Sequence, residues 1–177
     1  MLTKADIEQY FIAEKSAGLL FLILGIAAVL TAVVFIIFFK SPISKGAAWP
    51  LIVLGALQVG IGYTIYTRSD KQRIDTVYAY DMNPGKLKTE EFPRMEKAVK
   101  SITIFLVLEL ILLAVGILLI WTNRSFFVNV QPGGSAFWAG IGVVFIIQSL
   151  LLSGSDYLAY KRGKEYMAKL EHFISKP

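Results

Sequence analysis

Residues 17–39 run for 23 positions without a charged side chain. Three further stretches repeat the pattern: 50–66 and 137–155 carry no charge, and 101–122 carries one. About 20 residues of helix cross the hydrocarbon core of a bilayer, so all four are spanning candidates, the second being the shortest. Lipid offers nothing to stray backbone groups, and these blocks lack the alternation of barrel strands, so helix is the form they must take. Overall, 55% of the chain is hydrophobic and only 18% charged, well below the quarter or so typical of soluble domains. The expected fold class is all-α integral membrane: a four-transmembrane-helix bundle with helical extensions in the cytoplasm.

The chain then divides as one membrane domain, 1–177. It comprises an amphipathic N-terminal helix (1–16), spans at 17–39, 50–66, 101–122 and 137–157, a cytoplasmic connector (67–100) and a cytoplasmic C-terminal helix (158–177). Thr3 and Asp6 make a capping box with Leu2 and Ile7 as its hydrophobic staple, and Ile7, Tyr10, Phe11 and Glu14 share a face suited to a membrane surface. Asp6, Glu8 and Glu14 ahead of so long an apolar block do not read as a cleavable signal. The second span is expected to open at Trp49-Pro50, a proline suited to a first turn, and to run on as helix to a stop at Asn83-Pro84-Gly85. Thr89 is placed to cap a helix with Phe92, Met95, Val99 and Ile102 on one face. The outer loop holds Phe126-Phe127-Val128 and a Pro132-Gly133-Gly134 turn. The fourth helix is expected to continue to about Phe173.

Lysine and arginine fix the orientation. The N-terminus, connector and C-terminal tail hold 15 of the 18, while Lys40, Lys45 and Arg124 alone occupy the other side. By the positive-inside rule both termini and the connector are cytoplasmic, and the location is a cell inner (plasma) membrane, crossed several times. Trp49, Trp121 and Trp138 gather at the outer boundary and the tyrosines at the inner one, as aromatic belts do. The net charge of +5 is thereby explained without nucleic acid as a partner. A faint duplication also runs through the hairpins: Glu8 to Lys15 resembles Glu90 to Lys97, Gln58 matches Gln148, and Tyr66-x-Arg68 matches Tyr160-x-Arg162. Shared entrance and exit chemistry of any two membrane hairpins would produce the same likeness.

The absence of cysteine removes disulfides, thiol catalysis and Cys-ligated metal, and the single His172 lies in a polar tail. No cofactor and no metal is expected. No phosphate-cradling fingerprint is present, and Ser153, Ser155 and Asp156 read as a helix exit rather than as a nucleophile and its acid. Glu109 is the one ionisable residue well inside a span, a position that is by default a hypothesis of function. Gln58 and Gln148 lie near the middles of their own spans, so the three form a candidate intramembrane polar cluster. Either Glu109 carries a proton or cation, or it stays protonated as interhelical glue; the lack of a second charge at its depth favours the glue. Gly25, Gly55, Gly62, Gly116 and Gly140 are packing positions. Arg68, Lys71, Arg73, Tyr78, Tyr80, Lys161, Arg162 and Lys164 make the face turned to headgroups or partners.

The run Arg68-Ser-Asp-Lys-Gln-Arg-Ile-Asp75, with Asp81-Met-Asn-Pro-Gly85 and Lys161-Arg-Gly-Lys-Glu-Tyr166, resembles a group of uncharacterised small bacterial four-span membrane proteins. The resemblance implies a bacterial inner-membrane setting and no activity. Three functions follow. The leading one is a non-enzymatic membrane scaffold or accessory subunit, which forms homo-oligomers or joins a larger membrane complex and docks partners on its cytoplasmic face. Its partners would include a bilayer with anionic headgroups. The second is a small ion- or proton-linked transporter or channel centred on Glu109. The third is a lipid-acting enzyme built from Tyr63, Arg68, Asp156 and Lys161.

Overall fold

The computed structural model describes residues 2–125 and 134–175. It contains no strand among these residues. Helix α1 spans Lys4–Ile37 and α2 spans Pro42–Met82; a π-helical turn, Leu87–Glu91, runs into α3, Phe92–Thr122; α4 spans Gly134–Ile174. All four of these helices are long and apolar enough to cross a membrane, which is consistent with a helical bundle and suggests a multi-pass membrane protein. The loop aromatics Phe126-Phe127-Val128 lie outside the described residues, as does the expected outer turn apart from Gly134, which opens α4.

The helix starts follow local chemistry. At the first, the Asp6 amide donates to Thr3 Oγ1 (3.2 Å) while the Thr3 amide donates to Asp6 Oδ2 (2.9 Å), a reciprocal capping box. The second helix begins eight residues before the expected Trp49-Pro50. Ser41 accepts from the Ser44 amide (3.3 Å) and Pro42 stands at the first helical position, where its missing N–H leaves nothing unsatisfied. Pro50 is therefore inside α2. Its hydrogen-bond partner would have been the carbonyl of Gly46, and one lost bond does not break a helix braced by tertiary contacts.

The amphipathic segment 1–16 does not form a separate surface helix. No breaker follows Lys15, and the Ser16 hydroxyl donates back to the Ile12 carbonyl (2.9 Å), so the segment is the start of one continuous α1. Thr89 is likewise no cap. It lies within the π-helical turn, its hydroxyl donating to the Gly85 carbonyl (3.2 Å), and the Phe92 amide reaches back five residues to Leu87.

Along each helix one row of buried residues keeps a seven-residue register. On α1 it is Phe11, Gly18, Gly25 and Ala32; on α2, Ala48, Gly55, Gly62, Ser69 and Thr76; on α3, Met95, Glu109 and Gly116, with half-buried Ile102 at the step between the first two; on α4, Gly142, Ser149, Gly163 and Leu170, with half-buried Asp156 between Ser149 and Gly163. Seven residues is the period of left-handed helix packing, and most of these side chains are small, as van der Waals association between apolar helices requires.

Two compact units are distinguishable. The apolar unit is Phe21–Ile61 with Val107–Gly154. Here α1 and α2 meet where a Cβ on Gly25 would lie 2.7 Å from the Gly55 carbonyl oxygen, and α3 meets α4 at the matching Gly116–Gly142 approach (3.0 Å). Between α2 and α4 the approach is closer still: a Cβ on Gly46 would fall 2.0 Å from the Phe137 carbonyl oxygen, and one on Gly140 2.2 Å from that of Ile43. The polar unit is Met1–Leu20, Gly62–Leu106 and Ser155–Pro177. Its core joins Leu2, Ile7 and Phe11 to Ala79, Leu87, Met95 and Val99, and to Tyr166 and Leu170. The connector thus contributes to a core that the N-terminal segment and α4 complete.

Candidate functional site

In the apolar unit Gln58 and Gln148 of the expected polar cluster are bonded to each other. Gln58 Nε2 donates to Gln148 Oε1 at 2.7 Å, a buried bond across 90 positions of sequence. Gln58 is positioned by the α1–α2 seam: a Cβ on Gly25 would lie 2.9 Å from the Gln58 Cβ, so only glycine lets that glutamine sit there. Glu109 is buried in the same unit at 6% exposure, and next to Gln148 stands Ser149, at 2%. By the seven-residue register, one step along from the Gly116–Gly142 contact brings Glu109 and Ser149 level on antiparallel α3 and α4. Ser149 is a site residue that sequence reasoning passed over. Among the described residues its Oγ and the Gln58 Oε1 are buried without a hydrogen-bond partner.

The polar unit encloses an ionic cluster that sequence reasoning also missed. Arg94 grips Glu91 in a two-pronged pair, Nε to Oε2 at 2.7 Å and Nη2 to Oε1 at 2.8 Å, the fork geometry that suits guanidinium to carboxylate. Tyr166 OH donates to the same Glu91 Oε1 (3.1 Å), and its ring stacks on Tyr10 with centroids 4.4 Å apart. The Arg94 guanidinium lies over the Phe11 ring at 5.1 Å. Leu87 and Glu91, the first and last residues of the π-helical turn, are its buried ones, four positions apart on one face. Beside them Glu14 accepts from Arg68 Nη2 at 3.4 Å. Burial raises the Tyr166 and Tyr10 hydroxyl pKa values, so both stay protonated donors.

The residues expected on a partner-facing surface divide. Lys71, Lys161 and Lys164 are exposed, and Tyr78 is 64% exposed. Tyr80 is not free for docking: its OH donates to the Leu2 carbonyl (3.3 Å) and its ring stacks on Phe173. Arg68 is committed to Glu14, Arg73 lies 3.8 Å from Asp70, and Arg162 is half-buried. Lys15 pairs with Asp70 and sits over the Tyr66 ring, so these charges tie α1 to α2. Of the residues weighed for a lipid-acting enzyme, Tyr63 and Lys161 point outward and Asp156 is half-buried. Among the described residues no three His, Cys, Asp or Glu side chains come together as a metal would need.

Two carboxyls of the polar unit respond oppositely to acid. Asp6 is held down to about 2, first by its hydrogen bond from Lys169 (2.7 Å) and then by Thr3. Its stabilisation is complete above the ordinary carboxylate range and is lost as pH falls from about 4 towards 2. Glu14 is pushed up, burial outweighing Arg94 and Arg68, so its proton is bound more tightly in the fold and its contribution falls as pH rises through and above its unfolded value. Acid melts of the purified protein are therefore expected to shift in opposite senses for Asp6→Asn and Glu14→Gln. The first flattens the loss below pH 4, and the second removes the relative gain between neutrality and pH 5. Superimposable pH profiles for the two variants would contradict this assignment.

No family pattern, curated protein or solved structure matches the chain.

Proposed function

We propose that the chain is a multi-pass protein of a bacterial inner membrane, with both termini and the connector in the cytoplasm, working as a non-enzymatic scaffold or accessory subunit. The observation that carries the docking role is a row on α2 beyond the second apolar stretch: Ile74, Tyr78 and Met82 are 62%, 64% and 68% exposed. They are four residues apart, so they form one ridge along the helix. Lys71 and Asp75, both exposed, edge this ridge with one charge of each sign. An apolar ridge with mixed charges at its margin suits the apolar face of a partner protein's amphipathic helix. Membrane insertion is supported by how little of the apolar windows the chain itself covers, from 11% in α3 to 39% in α4, which leaves the rest for lipid or for a second copy. Exposed Lys71, Lys161 and Lys164 are suited to anionic headgroups.

A duplicated origin of the two hairpins has a specific support. Ile43 and Gly46 exchange contacts with Phe137 and Gly140, and these two equivalent pairs lie the same number of positions apart as Tyr66 and Tyr160, and as Arg68 and Arg162.

The test uses the cysteine-free chain as its own background. Single cysteines replacing Lys40 or Arg124 are expected to react with an impermeant maleimide in intact spheroplasts, and one replacing Lys88 only after lysis; the reverse pattern rejects the orientation. A photocrosslinker at Tyr78 is expected to capture one defined protein in intact membranes, and capture is expected to disappear with Ile74→Asp. An adduct of twice the chain's own mass makes that partner a second copy. Adducts to lipid alone defeat the scaffold reading.

A further inference from the structure

We propose that Glu109, Ser149, Gln58 and Gln148 form an oxygen-lined site inside the apolar unit that reversibly takes one monovalent positive charge, either a proton or an alkali-metal ion. The four are 6%, 2%, 3% and 7% exposed. Two of them carry oxygens with nothing to bond to: Gln58 Oε1, which can only accept, and Ser149 Oγ. A buried polar atom left in this state is destabilising by about 1–3 kcal/mol, so an apolar unit that buries two of them together with a carboxyl calls for a further positive group.

The serine is informative because its hydroxyl is not spent on its own helix. Ser69, Thr76 and Thr103 all donate to the carbonyl four residues back, at 2.6, 2.7 and 2.9 Å, which is how a hydroxyl ordinarily hides in a helix. Ser149 does not, and the register of α3 and α4 brings it level with Glu109. The glutamine pair is similarly half-committed. Gln58 gives its amide to Gln148 at 2.7 Å and keeps its own carbonyl oxygen for something else.

Charge and donor type select the ligand. The donors are oxygens only, which excludes the soft and imidazole-seeking transition metals. A single carboxylate neutralises a single positive charge, and a divalent ion would be left with an uncompensated charge in an apolar surround. The other charged residues of this unit, Lys40, Lys45 and Arg124, are all exposed, and the unit's sequence contains no histidine or tyrosine. A proton on Glu109 would supply a donor to the orphan acceptors; an alkali ion would take the same oxygens as ligands. The two sources share the site and differ in what displaces them.

Carbodiimide labelling of the full-length protein in lipid nanodiscs tests this, read as adduct at Glu109 by mass spectrometry between pH 5 and 9. Labelling needs a protonated carboxyl, so the rate is expected to fall with a one-proton midpoint as pH rises. Sodium chloride in place of choline chloride at equal ionic strength distinguishes the sources. A rate lowered at least threefold by sodium identifies the alkali ion as a competing ligand, and no effect of sodium beside a clear pH midpoint identifies the proton. Ser149→Ala, which removes one oxygen with little change of shape, and Gln58→Leu are each expected to move the midpoint or the sodium dependence at least threefold. Absent labelling across the range, or a rate flat in both pH and sodium, overturns the site. A midpoint unmoved in both variants overturns its four-residue form.

Discussion

Alanine at Gly46 is expected to destabilise the fold by about 3 kcal/mol or more, and leucine there to leave no folded protein. The new Cβ would stand 2.0 Å from the Phe137 carbonyl oxygen and 2.8 Å from its carbon. Those are backbone atoms of α4, so no rotamer change relieves the overlap; the two helices must separate. Separation also loses the reciprocal contact, where Gly140 lies against Ile43 at 2.2 Å on the same measure. Between apolar helices in lipid there is no hydrophobic drive to offset the lost dispersion, so close backbone approach carries much of the association. The glycines form an internal scale. Gly25→Ala, 2.7 Å from the Gly55 oxygen, should fall below Gly46→Ala, and Gly116→Ala, 3.0 Å from that of Gly142, lower again. Gly60→Ala and Gly154→Ala meet nothing within 4 Å and should stabilise by up to about 1 kcal/mol through helix propensity alone. Thermal denaturation in mild detergent, followed by circular dichroism, ranks the series. Equal effects at Gly46 and Gly60 would mean that the α2–α4 contact does not hold the helices together.

The parts of this architecture that are plain in the sequence are those set by the solvent. Charge-free blocks long enough to span a bilayer announce helices because lipid forbids other forms, and Asn83-Pro84-Gly85 ends α2 at Met82 for purely local reasons. Packing is harder to read, because residues facing lipid are as apolar as those facing a neighbouring helix. The usual hydrophobic stripe disappears, and only the seven-residue spacing of Gly18, Gly25 and Ala32, or of Ala48, Gly55 and Gly62, retains it. Gly46 was obscured by a competing signal: Trp49-Pro50 looks like a helix start, whereas Ser41-Pro42, with Ser44 following, is the start that forms. Tyr80 belonged by composition to a surface, and its hydrogen bond to Leu2 joins segments 78 positions apart. Ser149 gave no signal of its own beyond lying one seven-residue step from Gly142. The ionic cluster was hidden for the same reason as Tyr80. Glu91 and Arg94 sit in a charge-rich stretch that reads as solvated, and Glu14, which shares a face with Phe11, carries no sign of its bond to Arg68, 54 positions away.

Arg94→Met is expected to destabilise the polar unit by about 2–3 kcal/mol, more than the loss of any exposed pair in the chain. The substitution keeps much of the apolar stem but strands Glu91, 8% exposed at its side chain, without its two-pronged partner. The effect stays below the roughly 3–5 kcal/mol of a wholly buried pair because Arg94 itself is 23% exposed and solvent screens part of the interaction. Glu91 retains the Tyr166 hydroxyl, whose bond at 3.1 Å then has to carry the carboxylate alone. Adding Glu91→Gln should therefore restore most of the loss, since removing both charges leaves an amide that can still accept from Tyr166. Tyr166→Phe alone should destabilise by about 1.5 kcal/mol, the range of a hydrogen bond to a charged group. In combination with Glu91→Gln its effect should shrink, because the two act on one bond. By contrast Lys86→Ala, which removes an exposed contact to Glu90 at 3.9 Å, should change stability by less than about 0.5 kcal/mol. SDS titration from mixed micelles gives the four stabilities needed for the cycle. If the double variant is no more stable than Arg94→Met, the stranded carboxylate is not the source of the loss. The cluster then acts through the other contacts of the Arg94 guanidinium, over the Phe11 ring and to Met95 Sδ.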